Sequence, residues 1–249
     1  SYDRFGGGGM LESETTTNKT FSARVNYLGR KYLAHGGYIY NMVDRKENGG
    51  ITDVSWIRDT TVEVREIPVT LSGATSKIVK HTWFLDQQYR IPFEFLKKIG
   101  QPVDTLEVED AADTRDRNVT TAFIGHSSEW SRYSRNYVDN ISTTVGQEFY
   151  NNVFNFGTAS ADSLGTMKLD NKVFVRLQPW GSEGIVSRIE GGVGDELRHY
   201  WDSTSVRSTL HSENSVYLYA GAEGQFRKYL HWDAKATPNV MGYKTGDTE

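Results

Sequence analysis

Cysteine is absent from this chain of 249 residues. Its absence excludes disulfide bonds, thiolate metal sites and cysteine nucleophiles, and it suits a bacterial envelope as well as a reducing cytosol. The sequence also lacks any run of about 18 apolar residues, which excludes a transmembrane helix, and its start is not that of a signal peptide. Because the chain begins at Ser1 without a methionine, we expect a mature or partial segment whose signal peptide is missing.

An excess of charge of one sign is nearly absent as well. The 28 Lys and Arg residues stand against 32 Asp and Glu residues, which leaves a formal charge of −4. Basic residues are scattered rather than clustered, so the sequence gives no positive surface for nucleic acid. The length and the hydrophobic fraction of 37% are ample for a folded unit of all-β type. We therefore expect a folded protein without a nucleic-acid partner.

Helical periodicity is scarce, whereas apolar and polar residues alternate with a period of two along much of the chain. The segments 20–28 and 169–178 both follow this pattern, and Phe174 is the exception in the second one. Period two is typical of a strand with one apolar and one polar face. The pattern predicts a shared apolar face for Val25, Val173, Val175 and Leu218.

The spacing of these runs predicts ten strands, at residues 20–28, 32–43, 62–71, 76–91, 118–126, 129–139, 166–178, 185–200, 214–222 and 225–236. Short and long links alternate between them. Tight turns at one end and long loops at the other are typical of an antiparallel up-and-down transmembrane β-barrel. The predicted fold is therefore all-β, with barrel strands and long outer loops over 20–249 and a flexible, glycine-containing segment at 1–19.

The predicted links also give a predicted topology. Long links are expected on the outer surface and short links on the periplasmic side, namely 44–61 and 97–117 outside, and 29–31 and 180–184 inside. The Asn-Gly-Gly of RKENGGI, at 45–51, allows positive φ where the chain leaves a strand. Tyr38 and Tyr40 are expected at the bilayer interface. A soluble sandwich or carbohydrate-binding module alternates in the same way, so both classes stay open on periodicity alone.

Several strand and turn phrases carry a family resemblance: ENGGI at 47–51, LDQQY at 85–89, SADSL at 160–164, LDNKVFVRLQPW at 169–180 and EGIVSRIEGGVG at 183–194. Over most of residues 20–200 the chain resembles the putative porin family of Bacteroidetes-type outer membranes. The resemblance implies an outer-membrane β-barrel of a Gram-negative bacterium, without enzymatic chemistry and without a cofactor. Family members are longer, so this chain is expected to be a portion of a barrel.

Catalytic and metal-binding patterns are weak. His126 and Ser127 are neighbours, but adjacent strand residues point to opposite faces and cannot pair. The six histidines lack the spacing of a metal site, and the acidic segment 107–117 lacks the central glycine and terminal glutamate of a calcium loop. The glycines of FGGGGM at 5–10 have no Gly-Lys-Ser/Thr after them, so they do not form a phosphate loop. We expect no enzyme and no metal site.

The candidate functional residues are the polar residues at alternate positions of the predicted strands. Water in a barrel lumen is held by polar side chains, and we expect the pore to be lined by Arg24, Asn26, Lys80, Thr82, Arg176, Gln178, Arg188 and Glu190. Their mixed signs indicate weak ion selectivity. The predicted function is a porin-like channel for small hydrophilic solutes, with outer-membrane lipid and other outer-membrane proteins as partners. The alternatives are a soluble carbohydrate-binding or scaffold domain, and a structural barrel subunit of an outer-membrane assembly.

Overall fold

The computed structural model describes residues 1–58, 61–91, 121–141, 144–150, 159–178, 186–203, 208–226 and 230–245. Within these ranges the chain forms one antiparallel sheet of ten strands. The strands are β1 (Tyr2–Gly8), β2 (Thr15–Leu28), β3 (Tyr32–Glu47), β4 (Ala74–Arg90), β5 (Thr121–Asn140), β6 (Ala159–Gln178), β7 (Arg188–Ser203), β8 (Ser208–Phe226), β9 (Leu230–Ala236) and β10 (Asn239–Gly242). A short helix, α1 (Thr144–Phe149), and two 3-10 turns, Val54–Ile57 and Val64–Glu66, lie in the connections.

The strands follow one another as an up-and-down meander. Each strand from β1 to β8 pairs with its successor, and β8 then pairs with both β9 and β10. No pairing within the described ranges joins β1 to β9 or β10, so the sheet is open. The all-β, antiparallel, up-and-down architecture is thereby confirmed, and the open sheet is consistent with a portion of a barrel.

The register of the sheet gives it two chemically different faces. Paired residues on neighbouring strands point to the same side, so a face can be followed across the sheet. One row runs from Val173 on β6 to Val193 on β7 and Leu218 on β8, and all three side chains are exposed. We call this side the apolar face. On the opposite side, which we call the polar face, Arg176 of β6 stands opposite Glu190 of β7.

Besides the strands β1 and β10, which the sequence analysis does not predict, strand assignments differ from the sequence prediction at two places. Residues 62–71 belong to the connection between β3 and β4, which contains the 3-10 turns and a bridge from Ile51 to Val69. Pro68 has no N–H to donate to a strand ladder, so the short alternating run before it does not extend. Residues 118–126 and 129–139 were predicted as separate strands, but the described part from Thr121 is one continuous strand, β5.

These two differences change the topology. We call the end of the sheet at which 29–31 joins β2 to β3 the turn end, and the opposite end, where 48–73 joins β3 to β4, the loop end. Because strands alternate in direction, the segment 91–120 joins β4 to β5 at the turn end. The sequence analysis places 44–61 and 97–117 on the same side, whereas the strand ends from which these two links leave, Glu47 of β3 and Arg90 of β4, lie at opposite ends of the sheet. The residues of 97–117 themselves lie outside the described ranges, and so does the calcium-loop candidate 107–117.

The connection 48–73 is folded against the loop end. Gly49 and Gly50 have φ values of 66° and 88°, which confirms the positive φ predicted for Asn-Gly-Gly. The Asn48 side chain accepts a hydrogen bond from the Gly50 amide at 3.0 Å. Leu71 is buried at 4% exposure. Strand β3 continues to Glu47, so the turn begins later than the sequence predicts.

Residues at the start and at the loop end complete the description. Residues 1–19, which the sequence analysis assigns to a flexible segment, contain β1 and the beginning of β2.

Asp139 at the end of β5 is 1% exposed and accepts a hydrogen bond from the Tyr150 hydroxyl at 2.7 Å. The Tyr150 hydroxyl also lies 2.6 Å from that of Tyr137. Burial, reinforced by these two hydrogen bonds, raises the pKa of Tyr150 above its usual range. These hydrogen bonds tie Tyr150, the residue that follows α1, to β5.

Candidate functional site

The polar face is built by alternate residues of the long strands. On β6 the residues Lys168, Asp170, Lys172 and Arg176 share one parity, so all four lie on this face. Their partners on β7 include Glu196 for Asp170 and Arg198 for Lys168. Opposite charges on paired and diagonal positions of neighbouring strands are within reach of each other. The face therefore carries ion-pair clusters rather than isolated charges.

The first ion-pair cluster is centred on Glu190, which is buried at 6% exposure. Nη2 of Arg176 lies 2.7 Å from Oε2 of Glu190, and the Arg176 Nε donates to the same oxygen at 2.8 Å. The Tyr219 hydroxyl donates to the other carboxylate oxygen. Arg188 reaches Glu190 at 3.9 Å and pairs with Glu223 at 2.6 Å. Two cations and two carboxylates thus balance each other in what we call the Glu190 cluster.

The second cluster is centred on Glu196 and carries a positive excess. Lys168 lies 3.1 Å from Glu196 and 3.2 Å from Asp170. The Arg198 Nη2 donates to Glu196 at 3.0 Å, and Lys244 lies 3.3 Å from the same carboxylate. Three cations therefore surround two carboxylates. We call these five residues the Glu196 cluster.

Aromatic rings between the clusters lie along the sheet. A Cβ atom at Gly125 would collide with the Phe174 ring, and one at Gly194 would collide with the Tyr217 ring. Each ring therefore covers a glycine on a neighbouring strand, an arrangement that fills the gap left by the missing side chain. Lys172 stands above this layer, with its Nζ 3.9 Å from the centroid of the Tyr219 ring. The rings form an aromatic floor on the polar face, and the Lys172 ammonium group lies over it.

A recess of about 280 Å³ opens on the polar face beside the Glu196 cluster. Its lining combines cations with hydroxyl groups and consists of Lys80, Ser131, Tyr133, Thr166, Met167, Lys168, Arg198 and Tyr200. The residues other than Met167 belong to polar-face rows that cross β4, β5, β6 and β7. The recess thus lies on the wall of the sheet, partway along these strands.

All eight predicted pore-lining residues lie on the polar face, because the strand pairings place each of their side chains on the same side of the sheet as Arg176. Only part of the set is brought together. Arg176, Arg188 and Glu190 meet in the Glu190 cluster, while Arg24 and Asn26 lie on β2 and Lys80 and Thr82 on β4. Gln178 is exposed near the turn end of β6. Their common face fits the prediction, and their role in a pore stays a prediction.

The sequence analysis missed residues that dominate this face. Glu196, Arg198, Tyr217 and Tyr219 were not proposed, although each continues the parity of a residue on its own strand. The signal was available in LDNKVFVR, where Asp170, Lys172 and Arg176 alternate. The exceptional Phe174 also acquires a reason, since glycines on both neighbouring strands leave room for it.

The apolar face carries most of the exposed hydrophobic side chains of the strands. Val25 is 72% exposed and Val173 is 55% exposed. The Tyr38 and Trp83 rings are in contact on this face, with centroids 4.3 Å apart and planes tilted by 31°. Tyr38 and Tyr40 both lie within β3, which continues to Glu47, and their place at the bilayer interface stays a prediction. A continuous exposed apolar surface of this kind requires an apolar partner.

The apolar character is concentrated toward the turn end. On β5 the half of the apolar face near the turn end carries Ala122, Ile124 and Trp130 together with the polar His126 and Ser128, whereas the half near the loop end carries Arg132 and Asn136. β5 has 20 residues, whereas a tilted strand crosses a bilayer core with about 9–11 residues. The strands are therefore longer than one crossing requires.

Other chemistries find little support in the described residues. The Ser127 hydroxyl donates to Asp86 at 2.5 Å on the polar face, whereas His126 points to the apolar face and lies 3.1 Å from Gln87. The two residues thus do not form a catalytic pair. Over the ranges that the structure describes, no three His, Asp or Glu side chains are placed to hold a metal ion. Across the same ranges, no helix has the length and apolar composition needed to cross a bilayer.

An open antiparallel meander in which one face is rich in apolar side chains and the other carries most of the ion pairs is consistent with part of a barrel of the outer-membrane class. The model of the putative porin family matches residues 1–249, and the chain belongs to this family. Membership makes it a porin-like outer-membrane protein. Neither the curated proteins nor the solved structures include a match to the chain.

Proposed function

We propose that this chain forms part of the wall of an outer-membrane pore, through which small hydrophilic solutes diffuse. The observation that carries the proposal is the separation of the two faces. Exposed apolar side chains lie on one face, and the Glu190 and Glu196 clusters lie on the other. A wall of this kind is favourable only between lipid and water.

The energetics favour lipid contact on the apolar face. A midplane Arg on the lipid face of a barrel costs about 2–4 kcal/mol, so charge is disfavoured in the rows of such a face that meet the bilayer midplane. The row of Val173, Val193 and Leu218 meets this condition. A soluble domain would need a second layer to cover this row, and within the described ranges no element packs across it. We therefore favour the membrane wall over the soluble carbohydrate-binding alternative.

The charges on the polar face support weak ion selectivity. Arg176 and Arg188 are offset by Glu190 and Glu223, so the Glu190 cluster has no formal excess. A slight anion preference would arise from Lys80, which makes no ion pair among the described residues, and from the excess in the Glu196 cluster. Salt limits the reach of these charges to a Debye length of about 8 Å at physiological ionic strength.

The proposed setting is the outer membrane of a Gram-negative bacterium of the Bacteroidetes type. The loop end would face outward, because the folded connection 48–73 and the polar half of β5 extend there. The turn end, with 29–31 and the segment 180–184 outside the described ranges, would face the periplasm. Lipid contacts the apolar face, and other outer-membrane proteins can complete or gate the barrel.

Planar-bilayer recording of the whole chain tests the proposal. The protein, refolded in detergent and shown to be β-rich by circular dichroism, should produce stepwise, ohmic conductance. Its reversal potential under a salt gradient should indicate a weak anion preference. A folded and inserted protein that gives no conductance would contradict the channel and would favour the structural-subunit alternative. Recovery in the soluble fraction without detergent would instead contradict the membrane wall itself.

A further inference from the structure

The recess on the polar face has a composition that the pore function alone does not require. Two neighbouring rows of the sheet form it. One row contains Lys80, Tyr133, Thr166 and Tyr200, and the other contains Thr82, Ser131, Lys168 and Arg198. Cations and hydroxyl groups therefore converge from four consecutive strands on one volume of about 280 Å³.

The local charge is positive. Lys168 and Arg198 are held against Glu196, which Lys244 also contacts, so the carboxylates do not neutralise all cations nearby. Lys80 adds a further positive charge on the opposite side and is exposed. Glu213, the neighbour of Arg198 on β8, lies 3.0 Å from His211. The charged residues that line the recess itself, Lys80, Lys168 and Arg198, are all cations, and their N–H groups with the O–H donors beside them suit oxyanions, which accept charge-assisted hydrogen bonds.

We propose that the recess is a binding subsite for the oxyanion group of a small solute, a phosphate or a carboxylate. The proposal rests on the proposed pore, because the solute reaches the recess through its lumen. Lys80 would bind the anion directly, since it is the cation of the recess that no carboxylate contacts among the described residues. Lys168 and Arg198 would contribute positive electrostatic potential and N–H hydrogen-bond donors while they remain paired with Glu196.

The hydroxyl groups give the subsite its second property. Tyr133, Thr166 and Tyr200 follow one another along a single row. Their O–H groups can donate to an anion or exchange hydrogen bonds with neighbouring hydroxyls of a solute. The tyrosine rings add apolar surface beside these groups. The subsite therefore favours an anionic solute that also carries hydroxyl groups over a simple halide.

Equilibrium binding of inorganic phosphate to the refolded full chain in zwitterionic detergent tests the proposal. Titration calorimetry or phosphorus NMR line broadening should show saturable binding. Lys80→Gln should weaken it about tenfold, the effect of losing one charge-assisted hydrogen bond. Lys77→Gln removes the same charge from an exposed position of the same strand, on the opposite face, and should leave binding unchanged. A parallel titration with acetate separates the carboxylate source from the phosphate source.

The outcomes are distinguishable from those of the conductance experiment. No saturable binding of either anion by a folded protein would overturn the subsite, whether or not the protein conducts. Equal weakening by Lys80→Gln and Lys77→Gln would also overturn it, because binding would then follow overall charge. Binding with the expected difference in a protein without conductance would support the subsite and contradict the pore.

Discussion

Arg176 on β6 and Glu190 on β7 are a register pair and an ion pair at once, with Nη2 of Arg176 2.7 Å from Oε2 of Glu190. Both side chains are largely buried. Glu190→Gln should therefore lower the free energy of unfolding by about 3 kcal/mol, since it leaves the largely buried Arg176 without a carboxylate partner. Urea unfolding in lipid bilayers measures this loss. Arg176→Gln combined with Glu190→Gln should recover part of it, and a double variant that shows the full sum of both losses would contradict the coupling.

The same cluster should set the sign of ion selectivity. Arg176→Gln with Arg188→Gln removes two positive charges and should shrink the anion preference measured by reversal potential. Glu190→Gln with Glu223→Gln removes the two carboxylates paired with them and should enlarge it. Both effects should decrease with added salt. Shifts of the same sign in both double variants would show that the cluster does not face the pore.

Two adjacent glycines on β7 offer a matched test of the aromatic floor. A Cβ at Gly192 would collide with the backbone of Val173 and Phe174, whereas a Cβ at Gly191 would meet only the Tyr219 carbonyl oxygen at 3.7 Å. Gly192→Ala should therefore cost about 1–3 kcal/mol of stability, the usual effect of overpacking. Gly191→Ala should be nearly neutral. Equal unfolding midpoints in urea for the two variants would contradict the packing of Phe174.

Charge insertion on opposite faces of one strand tests the lipid assignment. Val173→Arg places a cation on the apolar face and should impair membrane insertion by about 2–4 kcal/mol. Gln178→Arg adds the same side chain to the polar face of β6, at an exposed position, and should insert like the wild type. Partitioning between folded and unfolded bands in a heat-modifiability gel measures both. Comparable yields would contradict the assignment of faces.

Epitope insertion tests the orientation. A tag after Arg58, in the connection at the loop end, should be labelled on intact cells. Tags after Arg30 and after Ala112 should be labelled only when the outer membrane is permeabilised, because both segments join strands at the turn end. If the tags after Ala112 and after Arg58 were both labelled on intact cells, the result would support the topology that the sequence predicts and contradict the continuous β5.

The two faces were predictable from the sequence because a period of two maps directly onto them. Val25, Val173, Val175 and Leu218 share the apolar face as expected. The strand limits were less predictable, since Gly125 looks like a turn residue but lies extended beneath the Phe174 ring. Its reason for being glycine comes from a neighbouring strand, and no local pattern contains that information.

The ion-pair clusters lay beyond sequence reasoning for a related reason. Which charges meet depends on register, and register is a property of two strands. Lys168 and Glu196 are far apart in sequence, and they approach within 3.1 Å because β6 and β7 align as they do. The alternation of polar and apolar residues along each strand showed that both side chains lie on the polar face. It could not show that they would be partners, or that a recess would open beside them.

The meander has a consequence for how the sheet is assembled. From β1 to β8 each strand pairs with the next one along the chain, so growth can proceed hairpin by hairpin with each finished edge as the template for the next strand. A slip of one residue would move Lys168, Asp170 and Arg176 into lipid and Val173 into water. A misaligned intermediate is therefore disfavoured each time a strand is added, because the alternation of polar and apolar side chains in that strand fits the two faces in one register only.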